Sequence, residues 1–432
     1  MITYDDSRML SKAVSRQGAN AQEIKSLLPR LGGAKDSVLV LDETKTQGWI
    51  SLHADRKMLR DIAAVIKKKK SFDTLLVLGI GGSDLGARAL HQALAPKKKK
   101  LVFAGANTDP DELADIMSQI DLKSTCINII SKSGDTLEPM ATFFHVLERL
   151  EKTVGKDNAN RHIVATTDPE RSALRDLAKE RGWTTLAIPQ NVGGRFSALT
   201  AVGLFPLGFA GADIKGLLRG AGKQFAAFKK QGVVENSACR FAALHYLAYT
   251  KRKQHIHVLM PYAAKLRDFA FWYRQLWAES LGKKENRSKK DVHVGPTPVA
   301  ALGATDQHSQ IQLYNEGPYD KTVTFIEVAR FENALKTPSA IASIPSLAYA
   351  ANTTFENIIH AEREATSRAL TKNRRANGTL YMSRVDAENM GGLLMFFQLA
   401  CATLGELFDI DAYNQPGVEA GKKAIRVILK SS

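Results

Sequence analysis

Short, almost wholly apolar runs alternate with longer amphipathic stretches along most of this chain. Residues 74–79, Thr-Leu-Leu-Val-Leu-Gly, are apolar at nearly every position and end in glycine, the pattern of a parallel strand buried on both faces. A helical stretch over 85–95 follows, then a strand over 100–104 and a helix over 109–119 that opens Asp-Pro-Asp-Glu. The alternation continues with strands over 126–130, 162–166 and 184–188, separated by a helix over 137–150 and a helix start at Asp168-Pro169-Glu170. A second block has a strand over 255–260, a helix over 266–278 and a strand over 322–328, and long helical patterns fill 349–370 and 386–408. Such alternation predicts α/β lobes on parallel sheets, two here, dividing somewhere in 205–240.

Length and composition narrow this picture without redirecting it. A chain of 432 residues with 44% hydrophobic and 24% charged residues is ordinary for a globular protein, which excludes collagen, coiled-coil and wholly disordered architectures. A core of this size needs no disulfide or metal staple. The three cysteines, Cys126, Cys239 and Cys401, fit no zinc spacing, and their number is odd for a disulfide framework. No basic and then apolar leader opens the chain. The most apolar stretch, 198–212, is too short to span a bilayer and is punctuated by Gly203, Pro206, Gly208 and Gly211. A reduced, cytoplasmic, soluble protein is expected, with no membrane partner.

Charge adds one further question. Sixty Lys and Arg against 44 Asp and Glu leave +16, a field that attracts anions. The excess gathers at Lys67–Lys70, Lys97–Lys100, Lys372 with Arg374 and Arg375, and Arg287 with Lys289 and Lys290. No aromatics interleave these runs as base-stacking surfaces require. They read as solvated basic loops, and no nucleic-acid partner is expected.

Three loops carry chemistry. Gly79-Ile80-Gly81-Gly82-Ser83-Asp84-Leu85-Gly86 joins a strand to a helix, where glycines admit a ligand to backbone N–H groups and the helix start favours an anion. It is neither a dinucleotide fingerprint nor a Walker loop, and a plain tight turn explains it about equally well. Ser131-Lys132-Ser133-Gly134-Asp135-Thr136 repeats the arrangement with hydroxyls and a lysine, a phosphate cradle unless the hydroxyls merely cap the helix. Two such loops at the carboxyl ends of neighbouring strands favour a small phosphorylated ligand. Gly193-Gly194-Arg195-Phe196-Ser197 can present an arginine whose permanent charge steadies an oxyanion, although a lone Arg is more often a surface ion-pair residue.

These segments occur in order with Thr305-Asp306-Gln307-His308-Ser309-Gln310 and Gln415-Pro416-Gly417-Val418-Glu419-Ala420-Gly421-Lys422. Together, from about residue 40 onward, they resemble the glucose-6-phosphate isomerase family in its shorter bacterial form. The resemblance implies a homodimeric aldose–ketose isomerase that needs no metal or other cofactor. Its substrates would be glucose 6-phosphate and fructose 6-phosphate, interconverted through a cis-enediol. It also implies two sugar-isomerase (SIS) lobes, residues 51–220 and 221–385. A helical extension over 1–50 and a C-terminal helical segment over 386–432 would flank them.

The resemblance assigns roles residue by residue. Glu279, in Gln275-Leu276-Trp277-Ala278-Glu279-Ser280, matches the base that carries the proton between C2 and C1, work that suits a buried carboxylate. Without the family, a Glu near a helix end reads as a solvated surface residue. His308 matches the histidine that assists ring opening from across the dimer interface, Lys422 the lysine that shares that step, and Arg195 the arginine that steadies enediolate charge. Gln415 matches a side chain lining the sugar. Ser83, Ser131, Lys132, Ser133 and Thr136 match the phosphate cradle, with Gly82 and Gly194 giving backbone access. His255 and His257 lie on one strand face without an acidic or thiol companion and are read as structural.

One position departs from the family: Asp135 stands where Thr is common, inside the phosphate loop. Its carboxylate is expected to turn outward. Two rival functions remain. A silent sugar-phosphate sensor on the same lobes has no physical need for Glu279, His308, Arg195 and Lys422 together. A nucleic-acid binder rests on net charge alone, and activity on mannose 6-phosphate is left open.

Overall fold

The computed structural model describes residues 2–431, apart from the side chains of Glu419, Ala420, Lys422 and Lys423. Its strands are β1 (Thr3–Asp5), β2 (Thr74–Leu78), β3 (Lys100–Ala104), β4 (Thr125–Ile130), β5 (Ile163–Thr167) and β6 (Thr184–Ala187). They continue with β7 (Ile256–Pro261), β8 (Lys283–Glu285), β9 (Asp291–Val294), β10 (Thr297–Ala300), β11 (Lys321–Val328) and β12 (Asn377–Met382). β8 and β9 form a small antiparallel ribbon. The others make two five-stranded sheets, β3-β2-β4-β5-β6 and β1-β12-β11-β7-β10.

The first sheet is parallel throughout, and every residue of β2, β4 and β5 is buried. That explains why these strands read as continuous apolar runs rather than alternating ones. Helices Leu85–Leu94, Pro110–Ser118, Leu137–Val154 and Ala173–Glu180 connect them. The chain runs from β2 to β3 on one side, then returns to place β4 on the other. β2 and β4 therefore flank a topological switch point, where loops diverge and open a site at the carboxyl ends.

The second sheet is parallel except at its edge, where β1 runs antiparallel to β12 with Thr3 opposite Tyr381. The opening residues, expected to be helical, thus begin with a strand. A Cβ on Gly378 would meet the Tyr4 ring and hydroxyl at 2.5 Å, so glycine in β12 is what admits β1. β10, with Pro298 on the sheet edge, and β12, opening Asn-Gly, escape a pattern reading because both carry turn-forming residues.

Helix Ala387–Leu407 is long and apolar enough to cross a membrane, yet it is enclosed by the protein. It packs on Ile214–Lys230 so closely that a Cβ on Gly391 would lie 1.8 Å from the Leu217 carbonyl oxygen, and one on Gly220 1.7 Å from that of Glu388. Residues 198–210 are buried as expected, apart from half-buried Gly208, and Gly211 ends their helix in the left-handed region.

Two further expectations are corrected. The Lys67–Lys70 run is not wholly solvated: Lys69 is buried and donates from Nζ to the Ile163 carbonyl at 3.1 Å and to that of Arg161. Asp168 does not cap the following helix. It accepts from the amides of Glu170 (2.8 Å) and Arg171 (2.9 Å) in a turn, and the helix starts at Ala173.

Candidate active site

The glycines of the first loop act through closeness. A Cβ on Gly82 would lie 2.1 Å from the Gly194 carbonyl carbon and 2.7 Å from the Arg195 amide nitrogen. The loop after β2 and the segment after β6 are thus in backbone contact, and only glycine fits between them. Ser197 fastens the contact, donating from Oγ to the carbonyls of Gly194 (2.7 Å) and Gly82 (3.1 Å). Gly81, at φ +58°, turns toward helix Arg267–Leu281, where Gln275 Nε2 would sit 3.0 Å from an added Cβ. Ser83 is half-buried in this loop. Its neighbour Asp84 is buried and bound through both carboxylate oxygens by Arg88 Nε, at 2.8 and 2.6 Å. Burial raises the Asp84 carboxyl to about 6, against the opposing pull of Arg88.

Arg195 is the centre of the assembly, 2% exposed. Nε donates to Ser280 Oγ at 2.7 Å. Nη1 donates to Glu279 Oε2 at 3.3 Å and to Gln415 Oε1 at 3.0 Å. Nη2 donates to the carbonyls of Ala412 (2.6 Å) and Asn414 (3.1 Å). All five N–H groups of the guanidinium are used, so one side chain joins the segment after β6, the end of the Arg267–Leu281 helix and the 412–415 loop. Burial lowers its affinity for the proton, and the Glu279 carboxylate works in the opposite direction.

Glu279 keeps a third of its side chain, 33%, open to solvent, so its burial is partial. Its other oxygen, Oε1, accepts from Gln275 Nε2 at 3.1 Å. The carboxylate is therefore held from both sides and open on the third.

The second loop leaves β4 beside the first. Ser131 is buried, with Oγ accepting from the Gly134 amide at 3.0 Å and lying 3.2 Å from Thr136 Oγ1. Gly134 sits at φ +77°, where a Cβ would strike the Leu174 amide at 2.3 Å. Thr136 stands at the N-cap of helix Leu137–Val154 without a side-chain capping bond. Its hydroxyl is turned to Ser131 rather than to the helix amides, which leaves the helix start able to receive an anion. Ser133 is exposed on the loop. Lys132 Nζ donates to the carbonyls of Gln190 (2.8 Å) and Val192 (3.0 Å), tying this loop to the segment bearing Arg195, and burial lowers its pKa.

His308 ends a short turn after β10 and is exposed. Among the described residues it makes no hydrogen bond or ion pair to Glu279, Arg195, Lys132 or Gln415. Position 422 lies on helix Glu419–Ser431, and the Lys422 side chain lies outside the described residues. Asp135 turns outward as expected, with Oδ2 3.3 Å from Arg426 Nη2. Of the histidine pair read as structural, His257 is buried between Tyr273 and Thr324, whereas His255 is exposed against the Tyr249 ring. Among the described residues, no group of three His, Cys, Asp or Glu could hold a metal ion.

Sequence reasoning missed Lys283, Ser280 and Asp84. Lys283 follows the Glu279 helix and donates from Nζ to the Asn414 carbonyl at 2.9 Å and to the Glu279 carbonyl at 2.5 Å. Burial first, then the Arg195 charge, brings its pKa down to about 8. In the sequence it is half of a Lys-Lys pair and looks like solvated surface. The signal available was its place directly after the Glu279 segment.

The phosphoglucose isomerase family model matches residues 56–432. A glucose-6-phosphate isomerase of Carboxydothermus hydrogenoformans is 43% identical over 408 residues, covering 91% of this chain and 88% of that protein. One of Rubrobacter xylanophilus is 36% identical over 434 residues, covering 98% and 96%. Among solved structures, a hypothetical protein from Thermus thermophilus superimposes with a TM-score of 0.90 at 32% identity, over 99% of this chain and 100% of that one. A glucose-6-phosphate isomerase from Chlamydia trachomatis superimposes at 0.78 and 26% identity, over 88% and 74%. The chain belongs to the phosphoglucose isomerase family.

Proposed function

We propose that the residues gathered around Arg195 interconvert glucose 6-phosphate and fructose 6-phosphate through a cis-enediol, with Glu279 moving the proton. The observation that carries this reading is the Arg195 clamp. It fixes a half-open carboxylate and Gln415 beside loops leaving the two strands at the switch point. Phosphate binds at Ser83, Ser131, Ser133 and Thr136 and the start of helix Leu137–Val154, with Lys132 and the backbone at Gly82 and Gly194 completing that end. The sugar then extends toward Glu279, which takes the C2 proton and returns it to C1. Arg195 keeps its five hydrogen bonds throughout, and its buried charge acts on the enediolate across the short gap beside Glu279. Lys422 and His308, the latter from a second copy of the chain, open the ring. Residues 51–220 and 221–385 are the two lobes, the enzyme works as a cytoplasmic homodimer, and no metal takes part.

The test is a coupled assay of fructose 6-phosphate conversion, wild type beside Glu279→Gln, with EDTA present. Activity in the wild type and its loss in the variant supports the base and a metal-free reaction. A folded wild type that binds sugar phosphate without turning it over would instead be a sensor.

A further inference from the structure

We propose that Arg426 neutralises Asp135 at the rim of the phosphate loop, so that a carboxylate beside an anion site does not repel the incoming phosphate. The inference rests on the reading that residues 131–136 hold that phosphate. Asp135 lies between Gly134, whose left-handed backbone makes the bend, and Thr136, which precedes helix Leu137–Val154. An uncompensated carboxylate here would add negative charge where a dianion has to bind. Arg426 reaches it from helix Glu419–Ser431, 291 residues away in sequence, with Nη2 3.3 Å from Asp135 Oδ2. The side chains are 59% and 69% exposed, so the pair contributes little to stability. What it alters is the local field: a lone negative charge becomes an ion pair whose potential falls off faster with distance.

Two further features support the assignment. The inner side of the loop is already satisfied, with Ser131 bonded to Gly134 and facing Thr136, so Asp135 is not needed to hold the loop's shape. Arg426 also follows position 422 by four residues, one helical turn. The ion pair therefore links the phosphate loop to the helix that bears position 422.

The experiment measures kcat and KM for fructose 6-phosphate, and competitive inhibition by inorganic phosphate. It uses the full chain as wild type, R426Q, R426K, D135N/R426Q and T136A. R426Q should raise KM and the phosphate inhibition constant about three- to fivefold, the size of a surface charge interaction, with kcat within about twofold of wild type. R426K should stay near wild type, and D135N/R426Q should return to it. The R426Q defect should shrink in 1 M NaCl, where the screening length is about 3 Å. A KM unmoved in R426Q, or raised as much in the double variant, overturns the proposal. If T136A raises KM while R426Q does not, this inference alone fails. If neither moves KM, the phosphate reading fails with it.

Discussion

Arg195 Nη1 lies 3.3 Å from Glu279 Oε2, an almost wholly buried cation against a carboxylate that is one-third exposed. Nη1 also donates to Gln415, so the Glu279 carboxylate and the Gln415 amide share one nitrogen of the cation. The pair is asymmetric. The guanidinium has spent all its donors on the protein, whereas the carboxylate retains an open side.

Removing the charge from that carboxylate while keeping its shape should stop the chemistry. Glu279→Gln is expected to lose about 10³-fold or more in kcat, the upper part of the range for a positioned base, and still bind fructose 6-phosphate. Turnover assays with calorimetric titration check it. Near-normal kcat would mean that another group takes the C2 proton.

Arg195→Lys keeps the charge and loses the fork. A lysine has three donors and cannot reach Ser280, Glu279, Gln415 and the carbonyls of Ala412 and Asn414 together. The buried Ala412 carbonyl, left without a donor, costs about 1–3 kcal/mol, whereas that of Asn414 keeps the Lys283 ammonium. Urea unfolding should show a loss of about 3 kcal/mol, together with a kcat lower by at least about 10². Wild-type stability would show that the 412–415 loop is held by other contacts.

Gly82→Ala tests the backbone contact between two loops. The added methyl would overlap the Gly194 carbonyl, at 2.1–2.2 Å, and neither side is a flexible side chain that can swing away. A destabilisation of about 2–3 kcal/mol is expected, with a raised KM for sugar phosphate. An alanine variant as stable as wild type would mean that the loops part freely.

Lys283 gives a pH signature of defined sign. Its folded pKa of about 8 lies below the ordinary lysine value of 10.5, so between these the unfolded chain holds the proton and the folded one does not. Stability from this group therefore rises as pH increases from about 8 to 10.5 and is lowest below 8. Unfolding of wild type beside Lys283→Met, at pH 7.5 and 9.5, should show the wild type gaining on the variant at the higher pH. A constant difference would put the ammonium in an ordinary solvated setting.

How far the sequence reaches depends on where the information sits. The first sheet was legible because β2, β4 and β5 are buried on both faces and read as plain apolar runs. β1 and β12 were not, since three residues and an Asn-Gly opening carry no periodicity and their pairing spans almost the whole chain. At the site, the motifs pointed to Glu279, Arg195 and Gln415, which the fold does bring together. Lys283 and Ser280 stand in or just after the Glu279 segment, but their contacts come from a loop more than 120 residues downstream and from the five-way reach of Arg195. Lys132 was expected to face phosphate, and its bonds to the Gln190 and Val192 carbonyls are a tertiary fact no loop motif encodes.

The edge strand β1 has a consequence for the order in which the chain is made. Its partner β12 leaves the ribosome only after residue 382, about 20 to 75 s after β1 at ordinary rates of synthesis. The first sheet spans residues 74–187 and can assemble early, whereas the second is sealed by a strand translated before all its partners. Nascent chains halted before residue 377 therefore carry an unpaired N-terminal strand, and proteolytic protection of residues 3–5 should arise only once β12 has emerged.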